Sequence, residues 1–98
     1  MLFRSEEKAA ERARVKAVLD ALHAAAPGHS VELRIPPYAA IQLIEGPRHT
    51  RGTPAAVVEM DAATLLALDA RELTWEDGVR AGRILASGER SNLSHLFH

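Results

Sequence analysis

A short basic loop is the segment whose residue types and spacing best fit a binding or catalytic site. It runs over residues 47–54, carries Arg48, His49 and Arg51, and has turn-forming glycine and proline residues at both ends. Two arginines beside a histidine can hold a phosphate or carboxylate through forked hydrogen bonds. The same residues fit a solvated turn whose arginines pair with flanking glutamates, or a surface that contacts another protein. The sequence predicts a cationic loop and leaves these three roles open.

Motifs for catalysis or for cofactor binding are absent from the sequence. It contains no glycine-rich phosphate loop, no nucleophile elbow and no metalloprotease histidine pair. The chain has no cysteine, and the helical spacing of His95 and His98 comes without a nearby cluster of carboxylates. We therefore predict no catalytic residue, no metal site and no cofactor.

Length and composition are those of an ordinary globular domain. The chain has 98 residues, of which 47% are hydrophobic and 26% charged. This is enough for one hydrophobic core and argues against disorder. The formal net charge of -1 gives no support to nucleic-acid binding, which needs a basic excess. The charged N-terminus lacks the apolar run of a secretion signal, and no stretch approaches the roughly 20 apolar residues that span a membrane. We expect one cytoplasmic domain over residues 1–98, with no nucleic-acid partner and no integral membrane association.

Apolar periodicity and turn residues predict the order of the secondary-structure elements. Alanine and charged residues favour a first helix that Ser5 caps, with an apolar stripe only in its second half. Strands grouped ahead of helices predict an α+β fold, an antiparallel sheet of about four to five strands with helices packed on one face. The predicted elements are a helix in residues 1–26, strands in 31–60, helices in 61–81, a strand in 83–87 and a short helix in 91–97.

The apolar residues of the second half have two interpretations. Several fall at helical spacing, as Leu93, Leu96 and Phe97 do, and such a stripe usually packs into a core. Helices that stand off a sheet can instead leave an apolar pocket for an acyl chain or a similar ligand. Periodicity does not separate a filled core from a pocket.

Several motifs of the chain together match the pattern of a known family. They are a strand ending in acid at residues 57–61, a helix with Leu65 and Leu66, a helix beginning at Thr74 and Trp75, a strand between glycines at 82–88, a leucine-containing tail at 93–97, the break at Pro36 and Pro37, and the loop GPRHTRGTP at 46–54. Over residues 31–97 the chain resembles the sterol carrier protein family, most closely its short bacterial orthologues.

That resemblance implies an α+β fold whose apolar cavity holds lipids, fatty acids or acyl-CoA, with a C-terminal helix that helps to close it and no catalysis by the domain itself. The chain departs from the larger members in having room for fewer strands and in a short C-terminal element. We therefore expect non-catalytic binding of an apolar small molecule, with Arg48, His49 and Arg51 holding an anionic headgroup. The expected cavity wall is formed by Leu65, Leu66, Trp75, Ile84, Leu93, Leu96 and Phe97.

Two other functions remain open at the level of sequence. One is a protein-interaction module or homodimer with a filled core, working through the basic loop, the outer face of the sheet or the charged first half of the first helix. The other is an enzyme that uses His49 with the arginine pair on a phosphorylated or carboxylated substrate. We rank the enzyme last because no catalytic motif accompanies it.

Overall fold

The chain forms a long helix, a sheet and two short helices that share one hydrophobic cluster. A computed structural model describes residues 2–46 and 56–97. Within them the elements are α1 (Leu2–Ala25), β1 (Val31–Ile35), β2 (Ala39–Leu43), β3 (Ala56–Glu59), α2 (Ala62–Asp69), α3 (Trp75–Arg80), β4 (Leu85–Ser87) and a 3-10 helix (Ser94–Leu96).

The sheet is mixed, with strand order β2-β1-β3-β4. The outer pairs β1–β2 and β3–β4 are antiparallel, whereas the central pair β1–β3 is parallel, with Leu33 opposite Val58. The prediction of an antiparallel sheet is therefore wrong for the central pair. β2 runs opposite to β1 on one side, and β3 lies on the other side of β1 and runs in the same direction as β1, so the sheet combines both kinds of pairing.

Apolar and charged residues alternate along β1, and this alternation determines which face of the sheet packs against the core. Val31, Leu33 and Ile35 are buried in the hydrophobic cluster, to which α1 and α2 also contribute. Glu32 and Arg34 lie on the opposite face, where the Arg34 Nη2 atom is 3.0 Å from Glu32 Oε2. β1 is therefore a strand with one face in the core and the other in water.

Helix α1 buries only its second half. Its 24 residues make a rod about 36 Å long at 1.5 Å per residue, and residues 5–10 are exposed. The helix already begins at Leu2, so Ser5 lies inside it and is not the predicted cap. The buried stripe consists of Val15, Val18, Leu19 and Leu22.

No helix among the described residues is long and apolar enough to cross a membrane.

Tyr38 ties the turn between β1 and β2 to helix α1. Its hydroxyl donates to Glu11 Oε1 at 2.8 Å, and the Arg12 guanidinium lies 5.6 Å from the ring centroid. The hydrogen bond to Glu11 raises the pKa of the Tyr38 hydroxyl, since ionisation would remove the proton that is donated. The contact holds the middle of α1 over the end of the sheet.

Candidate functional site

The residues predicted to form a cavity wall divide into two groups. All belong to one hydrophobic cluster or pack against it. The buried group consists of Leu65, Trp75, Ile84 and Leu93. The half-buried group consists of Leu66, Leu96 and Phe97. The first group lies inside the core and the second packs against it, and the role of the seven as a cavity wall stays a prediction.

An open groove lies at this margin, between α3 and the C-terminal segment. The rings of Trp75 and Phe97 stack there, with centroids 6.3 Å apart and planes inclined by 15°. The volume is about 260 Å³, which is the space of about nine water molecules at 30 Å³ each. We call this site the aromatic groove; besides the two rings it is lined by Arg71, Leu73, Thr74, Glu76 and Ser94.

The segment that carries Phe97 is held mainly by apolar side chains. Its 3-10 helix has only three residues. Local hydrogen bonds shape it, from Ser94 N to Asn92 Oδ1 at 3.0 Å and from Phe97 N to Ser94 O at 3.1 Å. Leu93 is completely buried, whereas Leu96 and Phe97 are half-buried. A segment of this kind moves away from the core at a lower free-energy cost than a long helix does.

Arg71, one of the residues that line the aromatic groove, has an unusual backbone conformation. Its φ is 62°, in the left-handed region where residues other than glycine are uncommon. It follows Ala70, the residue that ends α2, and donates its N–H to Leu68 O at 3.1 Å, while Glu72 N donates to Ala67 O at 2.9 Å. These two bonds form a Schellman ending, in which glycine is the usual residue.

Two opposite energetic effects act at Arg71. A left-handed backbone costs a residue with a side chain about 1–2 kcal/mol. A cation beside the C-terminus of a helix regains about 0.3–1 kcal/mol, so the charge of Arg71 offsets part of the backbone cost.

A second, larger groove lies between α1 and α2. Its volume is about 550 Å³, and Leu66 lies in this groove, away from the aromatic pair. Alanines form much of its floor, and the charged side chains are Glu11, Arg14, Asp69 and Glu72. Alanines, Val18 and Leu66 make its lining partly apolar, so both grooves can bury hydrocarbon and the aromatic groove differs by its stacked rings.

A family model described as bacterial SCP ortholog matches residues 7–98, nearly the whole chain. The chain belongs to this family. The resemblance to sterol carrier proteins in the sequence motifs is thereby confirmed.

Among solved structures, the crystal structure of Sterol Carrier Protein 2 Like 2 from Aedes aegypti is similar to this SCP ortholog. The two chains share 18% sequence identity, the match covers 98% of this chain and 96% of that chain, and the TM-score is 0.42. No curated protein matches the sequence.

A polar cluster in this family member lies at the carboxyl end of β3, where α2 begins. Asp61 accepts the Thr64 N–H at 2.8 Å and caps α2. Arg83 Nε donates to the buried Thr64 hydroxyl at 3.2 Å. Hydrogen bonds from the Thr64 side chain and backbone lower the pKa of the Asp61 carboxyl, and the nearby Arg83 charge lowers it further. The cluster fixes the start of the helix that carries Leu65.

The basic loop predicted over residues 47–54 is not part of the chain that the structure describes. Arg48, His49 and Arg51 lie outside the described residues, 2–46 and 56–97. Their role as an anion site, a contact surface or part of an enzyme stays a prediction. Within the described ranges, no group of three or more histidine, cysteine, aspartate and glutamate side chains is arranged to hold a metal ion.

Two groups in the site were missed by the sequence analysis. Arg71 lies in the aromatic groove, and Arg83 completes the polar cluster with Asp61 and Thr64. The sequence held a sign of the unusual position of Arg71, because this charged residue stands at the end of an apolar helix, where glycine is common. No sequence signal indicated that this position would meet the aromatic pair.

Proposed function

We propose that this domain binds an apolar small molecule, such as a lipid, a fatty acid or an acyl-CoA-like ligand, without catalysing a reaction on it. The observation that carries the proposal is the stacked pair of Trp75 and Phe97 at a groove that adjoins the hydrophobic cluster. Membership of the bacterial SCP ortholog family supports it, since domains of that family are generally lipid carriers.

The size of the aromatic groove determines how a chain would enter. Its 260 Å³ lies just below the range of about 300–1,000 Å³ that is usual for ligand pockets. A hydrocarbon longer than a few carbons would therefore take the space of Phe97 and reach toward the buried Leu93. Exposing a half-buried aromatic ring costs roughly 1 kcal/mol, and each buried CH₂ contributes about 0.8 kcal/mol. A few methylene groups offset the displacement, so a medium-length chain is enough.

The test is direct binding of decanoate to the purified protein. Trp75 is the only tryptophan of the sequence, so a change in its fluorescence reports on the groove. We expect saturable quenching or a spectral shift, and a complex of one protein with one ligand in native mass spectrometry. No adduct and an unchanged spectrum up to the solubility limit would reject the proposal.

A matched pair of serine variants locates the binding. Ser94 lines the aromatic groove, and Ser87 is exposed on the edge strand β4. Ser94→Phe fills the groove and should abolish decanoate binding, while Ser87→Phe should bind as the unmodified protein does. Equal loss in both variants, or in neither, would place the ligand elsewhere.

The exposed first half of α1 favours a second candidate function, self-association. Residues 5–10 pack against no core, and the longest dimension of the molecule is 48 Å against 25 and 23 Å for the other two. Sedimentation velocity over a range of concentrations tests this candidate. A dimer that Ala10→Glu dissociates would support it, and a monomer at every concentration would contradict it.

A further inference from the structure

We propose that the domain forms an antiparallel two-fold dimer in which the same face of helix α1 of each copy packs against the other. We call this side the outer face of α1; it carries Glu6, Ala9, Ala10, Ala13 and Lys16. The inference rests on self-association, the second candidate function, and deepens it by naming the partner surface and the direction of the two helices. It is independent of ligand binding in the aromatic groove.

The outer face of α1 points away from the hydrophobic core. Successive residues of an α-helix are about 100° apart, so Ala13 lies about 200° around the axis from the buried Val15. Positions three, four and seven residues apart share one side of a helix, which places Glu6, Ala9 and Lys16 beside Ala13. All of these outer residues are exposed, so this side of α1 is open to a second helix.

Charges on the outer face complement those of an antiparallel copy. Glu6 and Lys16 are ten positions apart, about 15 Å along the axis. Where two such helices cross in opposite directions at the level of Glu11, each Glu6 lies opposite Lys16 of the second copy, and Ala9 lies opposite Ala13. In a parallel pair, Glu6 would face Glu6 and Lys16 would face Lys16. Like charges repel, so the charge pattern selects the antiparallel direction.

Both charged groups are available for these contacts. Among the residues that the structure describes, Glu6 forms no ion pair. Lys16 Nζ is 2.7 Å from Asp20 Oδ2, but the two side chains are 75% and 66% exposed, and such an exposed pair is weak. An ammonium group has three N–H donors, so Lys16 can contact Asp20 and Glu6 of the second copy together.

The shape of the molecule is compatible with this contact. Alanines in the middle of the outer face allow the helix axes to approach to about 8 Å, the short end of helix packing distances. The sheet of each copy lies on the far side of its own α1 and beyond the opposite end of the contact, so the two sheets stay apart. The contact over residues 5–17 is only about 20 Å long, well short of a standard interface. We therefore expect a weak dimer, with a Kd on the order of 100 µM.

Charge exchange between Glu6 and Lys16 tests the geometry by sedimentation velocity at protein concentrations up to about 1 mM. Glu6→Lys puts two lysines together at both ends of the contact, and Lys16→Glu does the same with glutamates. Because the contact is two-fold symmetric, each single variant should weaken the dimer about tenfold or more. The double variant restores opposite charges and should return the Kd to within about threefold of the unmodified protein.

Glu7→Lys is the matched control. It makes the same change of charge at the next position, about 100° around the helix from Glu6 and away from the outer face, and should leave the Kd unchanged. Circular dichroism shows that each variant keeps its helices. A dimer that Glu6→Lys and Glu7→Lys weaken equally, or that the double variant does not restore, would overturn the inference and leave self-association standing. A monomer at every concentration would overturn both, whereas decanoate titration of the same variants reports on ligand binding separately.

Discussion

Trp75 and Phe97 stack with their ring centroids 6.3 Å apart and join the start of α3 to the end of the C-terminal segment. An aromatic pair of this kind contributes about 0.5–1.5 kcal/mol beyond the area that it buries. Trp75 is 6% exposed and belongs to the core, while Phe97 is half-buried at the surface. The contact therefore joins the core to a half-buried ring at its margin.

Phe97→Ala should weaken the fold and strengthen ligand binding. Loss of the stack and of part of the buried area lowers the free energy of unfolding by about 1–2 kcal/mol. Decanoate should bind about fivefold more tightly, because the ligand no longer has to displace the ring. Urea denaturation and Trp75 fluorescence measure the two effects.

Leu85→Ala is the control for this change, since Leu85 is 61% exposed on β4. It should alter stability by less than about 0.5 kcal/mol and leave binding unchanged. Weaker decanoate binding by Phe97→Ala would mean that the ring is a contact surface for the ligand and is not displaced by it.

The end of α3 predicts the effect of a side chain at a left-handed backbone position. Gly82→Ala places a side chain at a φ of 75° and should lower the free energy of unfolding by about 1 kcal/mol or more, although nothing crowds the new methyl group. Urea denaturation measures the change, and an unchanged free energy of unfolding would contradict this backbone cost.

Asp61 should make stability depend on pH in the acid range. Its pKa is lower in the folded protein than the ordinary 3.8, so its ionised form stabilises the fold above that value and the effect is lost as pH falls through the folded pKa. Asp61→Asn keeps a capping group without the charge. The unmodified protein should be more stable than this variant at pH 7, and the difference should shrink as pH falls below about 3.8.

Asp61→Ala separates the cap from the charge. It removes the acceptor of the Thr64 N–H as well as the charge, so it should be about 1 kcal/mol less stable than Asp61→Asn at every pH at which α2 is formed, as a lost N-cap is. Denaturation series at several pH values compare the two variants. A difference between the unmodified protein and Asp61→Asn that is constant with pH would contradict the assignment of the charge effect to Asp61.

Local features of the fold were predictable from residue types alone. Asp61 and Thr74 cap α2 and α3, with Thr74 Oγ1 accepting the Asp77 N–H at 3.1 Å. Val31 and Leu33 alternate with charged neighbours and face the core. These features depend on contacts within a few residues, which the order of side chains specifies directly. The start of α1 was predicted less well, because a helix rich in alanine and charged residues continues through Ser5.

The arrangement of the strands and the makeup of the site depended on longer-range contacts. Alternation in β1 and β3 is the same for parallel and antiparallel neighbours, so it could not indicate that these strands are parallel. Nor could helical spacing show that Leu66 faces one groove while Phe97 faces another.

By itself the sequence determined the family, the α+β class, the helix caps and the apolar residues that meet in one cluster, because each of these follows from motifs or from short-range periodicity. Only the tertiary structure decided that β3 lies beside β1 and that Arg71 shares a groove with Trp75 and Phe97. The physical reason is that such contacts arise when distant segments pack against a common core, and many packings satisfy the same local pattern.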